Sequence, residues 1–293
     1  KAFTDEITAL CRRIGRVPRC KFSSLLNTKN GRRLRRFWGG IQKYLEEGIR
    51  QVDSRITEMQ KLEFYEESKI AGKEDRGIQF RSTKYNAALA SHLWNIEHRL
   101  IHMHDDGHRM VMKGLKPDER MERIALGTEG FVDPVFFLLD HSRFDAHVNW
   151  ALMKEEHRFY LWCRKNHPEL RRLLKMQEKN KGRTFGGIEY CMRAKRMSGD
   201  VNTSLGNTLL NLCMLKAWLK FHGIKGRVFL DGDDSVVIVE RADAEKLKNF
   251  AGFFRKLGMV TEGEVVDDLF KVEFCQSRPC WLGGKLKAVR NPM

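Results

Sequence analysis

The chain has 293 residues, 42% of them hydrophobic, enough to bury a large core and to divide into subdomains. Its longest apolar runs, such as "PVFFLLD", are far too short to cross a bilayer, and no charged-apolar-small leader opens it, which points away from a membrane-spanning or secreted class. The 54 Lys+Arg against 38 Asp+Glu give a net charge of +16 and favour a polyanionic partner.

That charge is concentrated. Residues 1–40 carry 11 basic and 2 acidic side chains, residues 154–196 carry 13 and 5, and the remainder is nearly neutral. Two basic segments suit a groove for a polyphosphate backbone, although solvated helix faces give the same count. Seven cysteines form no even framework of spacings, which favours reduced thiols and a cytosolic, soluble segment. The start at Lys1 and the stop at "AVRNPM" read as a piece of a longer polypeptide.

In chain order, the first forty residues read as irregular and basic, ending at the turn signal "WGG". Residues 41–65 have mixed helical spacing, and "ALASHLWNIEHRLIHMH" is a clearer helix. "PVFFLLD" reads as a buried strand, followed by an amphipathic helix in "DAHVNWALMKEEHRFYLWCRKN" with Asp145 near its start. "TSLGNTLLNLCMLKAWLKFHG" is a further helix closed by Gly223. Then come the hairpin "RVFLDGDDSVVIVE", a helix in "DAEKLKNFAGFFRKLG", and short strands through "FKVEFCQSRPCWLGG". This order predicts an α+β layer, an antiparallel sheet backed by helices. In the hairpin, Val236 and Ile238 face one way and Val237 and Val239 the other, so both faces are apolar and the turn rests on a buried support.

That turn places Asp231, Asp233 and Asp234 within four positions. Two carboxylates ~4 Å apart repel by about 4 kcal/mol at an effective dielectric of ~20, so a counter-charge is expected. Upstream, "FLLDHSRFDAHV" ends a buried strand at Asp140, with Asp145 across a break. If that strand lies beside the hairpin, Asp140, Asp233 and Asp234 converge at one sheet edge. All-oxygen donors without a basic partner in the same motifs predict a hard divalent cation, most simply Mg²⁺. Paired ions ~3.5–4 Å apart would clamp the oxygens of a phosphoryl transfer. Alone, Gly-Asp-Asp between apolar strands also reads as an ordinary hairpin turn. "RMSGDVNTSLGNTLLN" adds a Ser198-Gly199 turn, with Thr203 and Asn207 on one helical face.

"DHSRFDAHV", "RMSGDVNTSLGNTLLN" and "LDGDDSVVI", in that order, resemble motifs A, B and C of viral RNA-dependent RNA polymerases, with wording similar to the tombusvirus-like group. "FCQSRPCW" and "AVRNP" resemble its motif E region, and "EDRGIQFRSTKYN" its basic motif F. The resemblance implies a right-hand polymerase fold: fingers over 1–130, palm with motif A and a fingers insertion over 131–185, palm with motifs B to E over 186–280, and the start of a truncated thumb over 281–293. It implies that Asp140, Asp233 and Asp234 are catalytic and hold two Mg²⁺ ions, with Mn²⁺ as a substitute. Asp145, Thr203 and Asn207 would read the ribose 2′-hydroxyl, the group that separates ribonucleotides from deoxyribonucleotides. Ser198 and Gly199 would shape the nucleotide pocket. Arg76 would fork onto the triphosphate, with Lys69, Lys73 and Arg81 as helpers. Arg32, Arg33, Arg35, Arg36, Phe274 and Cys275 would contact RNA. Without the resemblance, "KIAGKEDRGIQFR" reads as a solvated loop or edge strand.

The implied activity is template-directed nucleotidyl transfer from NTPs to the 3′-hydroxyl of RNA, with template and nascent RNA, viral or host replication proteins as partners, and a host-cytoplasmic, membrane-associated replication complex anchored outside this chain. Two departures stand out. Where the group carries a motif D lysine, this chain has "LGMVTEGEVV", with Glu262 near that place and Lys256 before Gly258, leaving the general acid unassigned. Only about a dozen residues follow Trp281, too few for a thumb. The alternatives are a non-catalytic basic RNA-binding module and a reverse transcriptase. His98, His102, His104 and His108 raise a zinc site, which lacks an accompanying cysteine pair, and Phe144 and Trp150 read as core.

Overall fold

A computed structural model describes residues 1–61 and 77–290. The chain folds as two compact units, each discontinuous in sequence. One gathers Lys1–Leu10, His98–His147 and the chain from Leu205 onward; the other gathers Cys11–Glu97 and Val148–Ser204. No described helix is long and apolar enough to cross a membrane.

The first unit is built on a four-stranded antiparallel sheet. Its central strand, Pro134–Ser142, pairs on one side with the hairpin strand Asp234–Glu240 and on the other with the edge strand Val260–Val266. Strand Arg227–Asp231 completes the hairpin and the opposite edge. The alternation of a β-strand assigns each residue its side. Phe137 turns to the long helix Thr203–Phe221, where Trp218 meets it edge-on with ring centroids 5.6 Å apart and Phe254 packs behind. Phe136, Leu138, Phe229, Val236 and Ile238 turn to the other side and pack with Met121 and Ile124 of the helix Pro117–Leu126 and with Phe274 and Leu286. Val236, Val237, Ile238 and Val239 are all fully buried, so the hairpin has two apolar faces as expected. The long helix is buried over nearly its whole circumference, consistent with its apolar composition.

The second unit holds helices Gly31–Glu47, Thr83–Ile101, Trp150–Cys163 and Pro168–Lys175. A second sheet orders Gly77–Phe80, Ile56–Gln60, Lys179–Arg183 and Glu189–Arg193 side by side.

Several sequence expectations are corrected here. The opening segment is helical, over Ala2–Ile14, Phe22–Leu26 and Gly31–Glu47. "WGG" lies inside the last of these: a Cβ on Gly40 would sit 2.9 Å from the backbone of Thr83, so the glycine serves a close helix approach and not a turn. The region after it leaves the helix at Gly48 and forms the strand Ile56–Gln60. The single helix expected after Asp145 is two, Phe144–His147 and Trp150–Cys163, the second capped by the Asn149 side chain on the Leu152 amide. The helix expected over 243–258 also divides, into Arg241–Leu247 and Phe250–Arg255.

Candidate active site

Asp231 and Asp234 form the last pair of the hairpin ladder, leaving Gly232 and Asp233 as a two-residue loop. Gly232 takes φ +71°, the value a type II′ turn demands at its first central residue and that a side chain resists. Strand pairing between Leu139 and Ser235 then carries Asp140 and Asp234 to neighbouring positions on one side of the sheet. The convergence anticipated from sequence is therefore present: the charges of Asp233 and Asp140 both act on Asp234. Burial first, then those two charges, push the Asp234 carboxyl up to about 6, while a hydrogen bond from the Cys275 thiol works the other way. Asp231 is paired with Arg120 at 2.7 Å and adds a smaller charge effect on Asp234. Opposite Asp140 on the edge strand stands Glu262, which adds a further acidic position. Asp140, Asp233 and Asp234 offer only oxygen donors, a donor set that fits a hard divalent ion.

Beyond Ser142 the chain turns sharply at Arg143, whose φ of +48° is rare for a non-glycine residue, and delivers Asp145 on the one-turn helix Phe144–His147. There the Asn207 amide donates to the Asp145 carboxylate at 2.8 Å. A hydroxyl placed at this pair would meet an acceptor and an amide that can both donate and accept.

In the other unit, Ser198 and Gly199 pack on the strand Gly77–Phe80. The Ser198 hydroxyl accepts from the Gln79 amide at 3.2 Å and the Gly199 amide donates to the Gln79 carbonyl at 2.7 Å. A Cβ on Gly199 would lie 2.7 Å from the Phe80 Cβ, which explains the glycine. Thr203 opens the long helix, its hydroxyl donating to the Met197 carbonyl at 2.7 Å. Arg32, Arg33, Arg35 and Arg36 are exposed along the helix Gly31–Glu47. Lys69, Lys73 and Arg76 lie outside the described residues.

Two placements differ from expectation. Arg81 is 1% exposed and its guanidinium is engaged by Asp200 and Asn180, so it fastens the Ser198-Gly199 loop from inside and presents no fork to a phosphate. Phe274 is 2% exposed and belongs to the core beneath the hairpin, so its ring is unavailable to RNA. The adjoining turn, with φ +50° at Cys275 and +60° at Gln276, brings the Cys275 thiol to Asp234.

Sequence reading missed His141, Thr208, Asn211 and Thr261, which surround the Asp233 turn and are each at most 6% exposed. A signal existed: Asn211 interrupts an apolar helix, and a buried amide needs partners. It also missed Arg196, whose guanidinium pairs with both oxygens of the fully buried Glu156. Among the described residues His92, His167 and Glu169 each bring a ligand atom within 4.8 Å of the others. Glu169 is already occupied by the His92 ring at 2.9 Å, by Arg19 at 3.1 Å and by the Tyr44 hydroxyl, contacts that hold its carboxyl down at about 2. Arg19 supplies the counter-charge a cation would bring.

A family model described as viral RNA dependent RNA polymerase matches residues 1–293. The chain is similar to the RNA-directed RNA polymerase of Cymbidium ringspot virus, 33% identical over 291 residues covering 97% of this chain and 36% of the relative. It is similar to that of Tobacco necrosis virus (strain A), 34% identical over 270 residues, 89% of this chain and 37% of the relative. The RNA-directed RNA polymerase of Oat chlorotic stunt virus is 36% identical over 253 residues, 83% of this chain and 34% of the relative. The chain thus spans about a third of the length of these relatives.

Proposed function

The chain belongs to the viral RNA-dependent RNA polymerase family, and from that premise we propose that it carries the nucleotidyl-transfer centre of an RNA-directed RNA polymerase. The observation that carries the reading is the placement of Asp140 and Asp234 side by side on one face of the sheet, with Asp233 on the adjoining loop and its charge acting on Asp234. In this reading the unit that carries the Asp231–Asp234 hairpin is the palm, and the other unit, with its exposed arginines, belongs to the fingers.

Asp140 and Asp233 would hold the divalent ions, with Asp234 supporting them. Bound there, two Mg²⁺ ions, or Mn²⁺ in their place, would neutralise charge building on the attacking and leaving oxygens. The rest of the work is positioning and electrostatics by the chain's own groups. Asp145 and Asn207, already joined at 2.8 Å, present their polar atoms to a ribose 2′-hydroxyl with Thr203, favouring ribonucleotides. On the resemblance alone, Ser198 and Gly199 would shape the nucleotide pocket, and Arg76, Lys69 and Lys73, which lie outside the described residues, would bind the triphosphate. The arginines of the helix Gly31–Glu47 track the RNA backbone. The 3′-hydroxyl of the growing RNA attacks the α-phosphate of the NTP and pyrophosphate leaves. The proposed setting is viral genome replication in the host cytoplasm, in a membrane-associated complex with viral or host replication proteins.

Labelled-UMP incorporation on an RNA template tests this directly, in this chain and in a version extended to its relatives' length. Incorporation is expected to require Mg²⁺ or Mn²⁺, to prefer UTP over dTTP, and to fall at least about a thousandfold in Asp233→Asn, the scale of a lost charge-stabilising group in a transition state. Normal RNA binding without incorporation in either form would make the chain a non-catalytic RNA-binding module.

A further inference from the structure

The backbone of the loop that carries Asp233 is held by two side chains of the long helix, the amide of Asn211 and the hydroxyl of Thr208. The Asn211 Nδ2 group donates both hydrogens, to the Gly232 carbonyl at 3.1 Å and to the Asp233 carbonyl at 3.0 Å. With both donors spent, its Oδ1 accepts, and the partner is the His141 Nε2 at 3.1 Å. That contact makes Nε2 the protonated nitrogen, so His141 Nδ1 receives the Thr261 hydroxyl at 2.8 Å. Asn211 is 0% and His141 1% exposed, so water does not compete for these bonds. The Thr208 hydroxyl, one turn earlier on the same helix, accepts from the Gly232 amide at 3.3 Å, fixing the other side of the loop.

The chain of bonds ties four elements together at one point. His141 follows Asp140 on the central strand, Asn211 belongs to the long helix, Gly232 and Asp233 are the hairpin loop, and Thr261 lies on the edge strand. Rotation of the Gly232–Asp233 backbone would swing the Asp233 carboxylate, and would leave the fully buried Asn211 amide without its acceptors.

We propose that Asn211, oriented by His141, is a positioning residue that sets the aim of Asp233 relative to Asp140 and so the affinity of the carboxylate cluster for divalent ions. The inference rests on the two-ion reading above and assigns it a support that acts through the turn backbone, without contact to ion or substrate. Ligands oriented by outer hydrogen bonds typically lose about 10- to 100-fold in metal affinity when that support is removed.

The test is Mn²⁺ binding followed by electron paramagnetic resonance on the whole chain, alongside UMP incorporation and thermal unfolding. The variants are Asn211→Leu, which keeps shape and removes the amide, and His141→Phe against His141→Gln, which removes or keeps a donor. Leu219→Ala, eight residues along the same helix and 5% exposed, supplies a destabilised control away from the turn. Asn211→Leu is expected to weaken Mn²⁺ binding at least about tenfold, beyond Leu219→Ala at a matched loss of melting temperature, with His141→Gln nearer to wild type than His141→Phe. Wild-type Mn²⁺ affinity in Asn211→Leu, or a loss no greater than the control's, overturns the proposal and leaves the two-ion reading standing. Should Asn211→Leu not fold, equal Mn²⁺ affinities in the two His141 variants overturn it. If the wild-type chain shows no Mn²⁺ binding sensitive to Asp233→Asn, the two-ion reading itself falls and this inference with it.

Discussion

Asp234 sits where a carboxylate is least comfortable, beside Asp233 and Asp140 and partly removed from water, and its carboxyl rises to about 6. A cation would reverse that cost by displacing the proton, so protons and metal compete for the same group. Mn²⁺ affinity should therefore fall as the pH drops through 6, by about fourfold between pH 7.5 and 5.5 for a single competing proton. Equal affinity at the two values would show that Asp234 takes no part in binding. The aspartates of the turn were legible in the sequence because turn chemistry is a local property, whereas Asp145 and Asn207, 62 residues apart, were grouped only through the family resemblance. Asn211 was not legible, since its partners lie 21, 22 and 70 residues away and meet only through strand register.

At the scale of elements, the segment that leads into the long helix is fastened by buried charge. Arg196 pairs with Glu156 of the helix Trp150–Cys163, and Asn202 donates to the same carboxylate at 3.2 Å. Both ions of the pair are at most 4% exposed, so removing one leaves the other stranded. Arg196→Met should cost about 3–5 kcal/mol in urea unfolding, whereas Glu156→Gln with Arg196→Met should recover much of it. Additive losses in the pair would contradict the coupling. Strongly apolar elements were read correctly from sequence, among them the central strand, the hairpin and the long helix. The helix Gly31–Glu47 was not, because arginines and two glycines mask its buried Phe37 and Ile41. Nor did the sequence show that Phe250–Arg255 starts afresh after Asn249, since the apolar spacing runs on across the break.

Across the whole molecule the excess charge of +16 is a property of composition and was visible at once, but which side chains remain exposed was not. Arg81, Arg196 and Lys84 are buried and internally paired, so part of the positive charge holds the fold together. Arg32, Arg33, Arg35 and Arg36 are exposed, and in the proposed reading they face a polyanion. Replacing all four by alanine should reduce the log–log salt slope of single-stranded RNA binding by about 3, from roughly 0.7 per phosphate contact. An unchanged slope would place the RNA elsewhere. The account turns most directly on whether Asp140, Asp233 and Asp234 hold divalent ions. Crystals soaked in Mn²⁺ and measured at its absorption edge should give anomalous peaks between Asp140 and Asp233 that vanish in Asp233→Asn; no peak there, or one only at His92, His167 and Glu169, would contradict it.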